Sequence, residues 1–153
     1  MRDVELEQRQ RKAVVDEALT WLRTSYHHHA RVKGAGCDCA QFPAAVYEAA
    51  GLMDHVEPVY PHDWHMHRNE ELYLDWAAKV GAVEIDVERA GPGDFIIWKF
   101  GRTFSHGAIF VEPPMIIHAT QAAGMVTLDH WTADEELSSR AHKVFTFWPE
   151  SAE

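Results

Sequence analysis

The sequence predicts an α+β domain in which N-terminal helices pack on a mostly antiparallel β-sheet. Helical periodicity fills the first half of the chain. Short apolar runs, broken by turn residues, fill the second. No repeat, low-complexity segment or linker interrupts the 153 residues, so residues 1–153 read as a single domain large enough for a real core.

The first helix is expected over Glu5 to Thr24, with Val15, Ala18, Leu19 and Leu22 on its apolar stripe and charged residues elsewhere. Ser25 to Gly36 is a polar loop holding Tyr26 and the triplet His27-His28-His29. A second helix is expected from Cys39 to Ala50, burying Phe42, Ala45, Val46 and Ala49, with Gly51 as its stop. Leu52 to Met66 mixes prolines, histidines and Trp64 and reads as an irregular excursion. Asn69 would cap a third helix reaching Val80, with Tyr73, Trp76 and Ala77 buried.

Pro92-Gly93-Asp94 is a turn, and Phe95 to Phe100 a short apolar strand. His106 to Val111, Met115 to Ala119, Met125 to Leu128 and Val144 to Trp148 read as further strands. Thr132 to Arg140 is expected to be a short helix or loop.

Composition excludes several function classes. A net charge of −10 argues against a nucleic-acid surface and against attachment to anionic lipid. No apolar run approaches the ~20 residues that span a bilayer, so no membrane insertion is expected. The charged stretch Met1 to Lys12 lacks the apolar segment of a signal peptide, which predicts synthesis in, and retention by, the cytoplasm unless lysis or an assembly releases the protein. Cys37 and Cys39, two positions apart, cannot build a disulfide framework.

One residue is available for each role in thiol hydrolysis. Cys39, at a predicted helix start, would have its thiol pKa lowered by the macrodipole and by free N–H groups, which could also hold an oxyanion. The alternative is an inert buried cysteine, the reading preferred for Cys37. His106 is expected to begin a strand, where it could face a cleft as a general base, or be a plain surface histidine. His118, on the expected neighbouring strand, could bond His106 and fix its tautomer. Trp64 and Trp98 read as core or cleft walls.

Eleven histidines also raise the question of a metal. Neither a Cys-x₂-Cys pair nor His-Glu-x-x-His occurs, and His62-x-x-His65-x-His67 lies in a Pro-rich stretch. No metal and no cofactor are expected.

The chain resembles the NlpC-type cell-wall cysteine peptidases, a papain-like group, and especially the versions encoded beside phage tail genes. The resemblance runs from about Ala18 to Ala119. It rests on Thr24-Ser25-Tyr26, Gly34-Ala35-Gly36-Cys37-Asp38-Cys39, Val46-Tyr47, Gly51, Pro92-Gly93-Asp94, Ser105-His106-Gly107-Ala108-Ile109 and Ile117-His118-Ala119. It implies the papain-like NlpC-type fold, with Cys39 as nucleophile, His106 as general base and acid, and His118 as orienter. Tyr26 would point its hydroxyl into the site, and Asp38 would meet the substrate's free amino group.

The implied substrate is a peptidoglycan stem peptide. The implied partners are phage tail tip or hub proteins, and the implied location is the virion tail of a phage or phage-like particle. An architectural tail component of this fold, or a thiol amidase or acyltransferase, are the alternatives. The chain departs from the family pattern in Ala40-Gln41, where Ser-Gly is common, and in Pro43, which sits where the helix begins and would shift its start.

Overall fold

The computed structural model describes residues 3–55 and 71–152. Helix α1 (Val4–Leu19) starts at Asp3, whose side chain accepts the Leu6 N–H at 2.9 Å. Two short strands follow, β1 (Arg31–Val32) and β2 (Gly36–Cys37), then α2 (Gln41–Ala49) and α3 (Leu72–Lys79). The second half holds β3 (Val83–Ile85), β4 (Phe95–Phe100), β5 (Thr103–Glu112), β6 (Met115–Thr120), β7 (Met125–His130), the short helix α4 (Glu135–Ser139) and β8 (His142–Thr146). The α+β class predicted from sequence is the observed one. The expected excursion after Leu52 falls mostly outside the described residues, as do Asn69, Trp64 and the His62, His65 and His67 group.

Six strands form one antiparallel sheet in the order β3-β8-β4-β5-β6-β7. Both faces are covered, which explains why β4 is a continuous apolar run rather than an alternating one. Phe95 and Ile97 pack with Ile109, Ile117 and Phe145 against the helices, where they meet Phe42, Val46, Tyr47 and Trp76. Ile96 and Trp98 point the other way, packing with Phe110, Ile116 and Val144 under Trp131 and Leu137.

The first helix buries Glu7, Val14 and Ala18 rather than the stripe drawn through Val15 and Leu22, and Leu22 is 38% exposed. Its inner face carries a polar network that hydropathy cannot see. Arg11 Nε donates to Glu7 at 2.9 Å, and its Nη1 reaches the Pro92 carbonyl at 2.7 Å and Asp94 Oδ1 at 3.1 Å. Asp94 also accepts from Thr146 Oγ1 at 2.6 Å and from the Gly91 N–H at 2.8 Å. Gly93, at φ +89°, supplies the left-handed residue that turns the chain into β4. The Pro-Gly-Asp turn thus ties α1 to the middle of the sheet.

Helix α2 begins at Gln41, two residues later than expected. Asp38 Oδ1 accepts the N–H groups of Ala40 (3.1 Å) and Gln41 (2.8 Å), and Pro43 falls in the first turn, where its missing N–H is tolerated. The helix ends as expected at Gly51, with φ +79° and the Leu52 N–H returning to the Tyr47 carbonyl at 3.0 Å.

Candidate active site

Cys39 lies on the bend just before α2, partly exposed. His106 is the fourth residue of β5, not its first. The strand begins at Thr103 because Gly101-Arg102 closes a tight hairpin from β4, bringing Trp98 opposite His106. The Trp98 and Phe100 rings then flank the imidazole, with centroids 5.8 and 5.5 Å away.

Three adjacent strands place three polar side chains on one sheet face. The β5–β6 register pairs Ile109 with Ile117, so His106 and His118 share a face as diagonal neighbours. The β6–β7 register pairs His118 with Thr127, so Asp129 is the next diagonal step. His106 Nε2 lies 2.8 Å from His118 Nδ1, and His118 Nε2 lies 2.6 Å from Asp129 Oδ2. Thr127 Oγ1 donates to the same carboxylate oxygen at 3.2 Å. Sequence reasoning placed both histidines and missed Asp129. The only signal was its alternation with Thr127 on a strand read as ending at Leu128, and its meaning depends on register.

A carboxylate only accepts hydrogen bonds, so it fixes the proton of His118 on Nε2. His118 Nδ1 is then the acceptor for an N–H on His106 Nε2. That leaves His106 Nδ1 bare, the state a general base requires. Burial first, then His118 and Arg140, hold the His106 pKa well below 6.5, so this ring is neutral at pH 7.

The thiol behaves otherwise than its helical position predicts. Burial first, and the charge of Asp38 second, push Cys39 up to about 12; the Tyr26 hydroxyl and the Gly107 N–H favour the thiolate but are outweighed. The N–H groups expected to depress it are already satisfied by Asp38. Its S–H donates to the carbonyl of Ser105, 3.4 Å away, the residue just before His106. Cys37 is fully buried as expected of a packing residue, and burial likewise raises it to about 12.

Tyr26 approaches both the Cys39 sulfur and the Cys39 backbone N–H. Burial, then Cys39 and Asp38, raise its phenol, so it remains a donor. Asp38 is 1% exposed, and besides capping α2 it accepts the His29 N–H at 2.7 Å. Its visible work is to hold the loop and the helix start together. All five residues singled out from the sequence line one cleft of about 590 Å³, which Asp129, Asp134 and Glu136 also line. Among the described residues, no three His, Cys, Asp or Glu side chains are grouped to hold a metal ion, and no helix is long and apolar enough to cross a membrane.

The fold is similar to several solved structures. The NlpC/p60 domain of the peptidoglycan hydrolase SagA matches with a TM-score of 0.62 and 20% identity, over 88% of this chain and 97% of that one. An NlpC/P60 family protein from Bacillus cereus matches with a TM-score of 0.66 and 18% identity, over 91% of this chain but 40% of its own. The peptidoglycan hydrolase RipB from Mycobacterium tuberculosis matches with a TM-score of 0.66 and 12% identity, over 96% of this chain and 69% of its own. The chain thus spans nearly all of one relative and well under half of another. No curated protein matches it by sequence. The NlpC/P60 family pattern matches residues 23–141, a stretch that holds Cys39, His106, His118 and Asp129. The chain belongs to the NlpC/P60 family, whose members are cysteine peptidases.

Proposed function

We propose that this protein is a peptidoglycan-directed cysteine peptidase that cuts stem peptides, with Cys39 as nucleophile, His106 as base and acid, and His118 as orienter. The observation that carries the reading is the unbroken hydrogen-bonded series His106–His118–Asp129, beside a thiol in the same cleft. His106 Nδ1 takes the thiol proton as Sγ attacks the amide carbon. The Cys39 N–H and the Tyr26 hydroxyl are the donors placed to hold the oxyanion, since Asp38 occupies the next two N–H groups. His106 then protonates the leaving amine, and water activated by the same ring hydrolyses the thioester. The Asp38 charge at the cleft wall favours a substrate end that carries an ammonium.

Work as part of a phage tail tip or related tail-like particle is the second half of the proposal, and the order of motifs shared with tail-associated versions supports it. The resting thiol, which donates to Ser105 rather than to a base, favours the alternative of an architectural tail component with little activity. Mass spectrometry of a muropeptide digest separates the two. New amine and acid termini within the stem peptide, absent with Cys39→Ala, support the peptidase; an unchanged digest supports the architectural role. Proteomics of purified particles tests the location, which fails if the protein is absent from them.

A further inference from the structure

Tyr73, on the first turn of α3, is 4% exposed, and its hydroxyl donates to the backbone carbonyl of Cys39 at 3.1 Å. That carbonyl has no helical partner for a reason written in the sequence. The Phe42 N–H bonds the Asp38 carbonyl at 3.0 Å and the Ala44 N–H bonds the Ala40 carbonyl at 3.4 Å. The residue between them, which would serve Cys39, is Pro43, and it has no N–H. The N–H at the other end of the same peptide unit, on Ala40, is held by Asp38 at 3.1 Å. Tyr73 and Asp38 therefore clamp both ends of the peptide plane that follows the sulfur-bearing residue.

The same hydroxyl also meets the strand of the base. A methyl added at Gly107, next to His106, would overlap the Tyr73 hydroxyl and ring. Glu71, two residues before Tyr73, accepts the Phe104 N–H at 2.9 Å, which fixes the start of α3 on β5. Tyr73 thus sits between the carbonyl of Cys39 and the backbone beside His106, and its ring is braced edge-on against Trp76 at 5.7 Å.

We propose that Tyr73 is a positioning residue for the reaction: it supplies to the Cys39 carbonyl the hydrogen bond that Pro43 withholds, and it sets the spacing between the thiol and the strand of His106. The proposal rests on the peptidase reading of Cys39. Tyr73→Phe removes only the hydroxyl and keeps the packing of the ring. Pro43→Ala restores a backbone donor to the same carbonyl. On muropeptides, Tyr73→Phe should lower kcat by about 10–100-fold with KM within about twofold, as expected for a displaced reacting group. Adding Pro43→Ala should recover most of that loss, which packing alone would not produce.

A Tyr73→Phe protein with unchanged kcat overturns the proposal, as does a double variant that is no better folded and no more active than Tyr73→Phe. Alkylation of Cys39 by iodoacetamide, followed by mass spectrometry, supplies a readout that needs no substrate. The rate should fall in Tyr73→Phe and return in the double variant. A parent protein that cuts no muropeptide while showing this pattern would remove the peptidase reading and leave the positioning role standing.

Discussion

His118 Nε2 lies 2.6 Å from Asp129 Oδ2, and this contact sets the protonation pattern of two rings. An acceptor at the end of the series forces each imidazole to pass its N–H outward and to present a bare nitrogen inward. The neutral state of His106 at pH 7 and its tautomer thus have separate causes, burial for the first and Asp129 for the second.

Asp129→Ala should therefore slow turnover without touching substrate binding. Loss of a group that orients a reacting ring typically costs about 10–100-fold, and KM should stay near that of the parent. Asp129→Asn is the sharper test, because its amide can donate to His118 Nε2 and so permit the wrong tautomer. Equal kcat for Asp129→Asn and the parent would show that the carboxylate does not set the tautomer.

The two histidines should separate by severity. His106→Gln removes the proposed base from the cleft, so a loss of at least roughly 10²–10⁴-fold is expected. His118→Ala should be milder, and His118→Gln, which keeps a polar partner for His106 Nε2, milder still. The ranking is read from kcat at the pH optimum of the parent. A dead His118→Gln beside an active His106→Gln would reverse the roles.

The thiol predicts an unusual pH profile. With Cys39 raised to about 12 and His106 held below 6.5, the resting pair is neutral rather than an ion pair. Iodoacetamide alkylation of Cys39 should climb about tenfold per pH unit between pH 7 and 9, since the thiolate is the reactive species. A rate already level at pH 7 would reveal an ion pair. Cys37 is raised equally and fully buried, so it should label more slowly throughout, and Cys37→Ala should keep most of the activity.

Arg11 and Asp94 yield a stability prediction with a sign. Burial raises the Asp94 pKa above its ordinary 3.8, with Arg11 as the main opposing influence. Arg11→Met leaves that carboxylate buried without its cation, a loss of about 3–5 kcal/mol. A raised carboxyl pKa means the folded state holds the proton longer. The deficit should be smallest below pH 3.8 and should grow as pH rises through the folded pKa. Urea midpoints at pH 4 and pH 8 check it; equal shifts at both would rule out the carboxylate as the cause.

How much was legible in the chain depends on which force decided each feature. The central strand announces itself because burial on both sheet faces demands an unbroken run, Phe95-Ile96-Ile97-Trp98. The edge strand Val83–Ile85, with Val83 and Glu84 exposed, carries no such run and was not expected. The stop at Gly51 follows from one residue's backbone freedom. The face of α1 was displaced by one position because Glu7 and Arg11 occupy the buried stripe. The start of α2 moved because Asp38 caps it from outside. The thiol shifted the opposite way from expectation because burial outweighs any helix-end effect once Asp38 has taken the N–H groups. Asp129 and Tyr73 were invisible as partners, because register and docking bring them to the site from positions far along the chain.

The division of labour across the layers has a mechanical meaning. The two imidazoles and the Asp129 carboxylate stand on three consecutive strands joined by tight turns, so they travel as one body. The sulfur stands just before α2, in the helical layer, and meets β5 at the Ser105 carbonyl, while Phe42, Val46 and Ile109 pack in the core between the layers. A shear between the layers would leave that series intact and change mainly the gap between the sulfur and the ring of the proposed base. The catalytic rate is in that sense a ruler laid across the packing of the core.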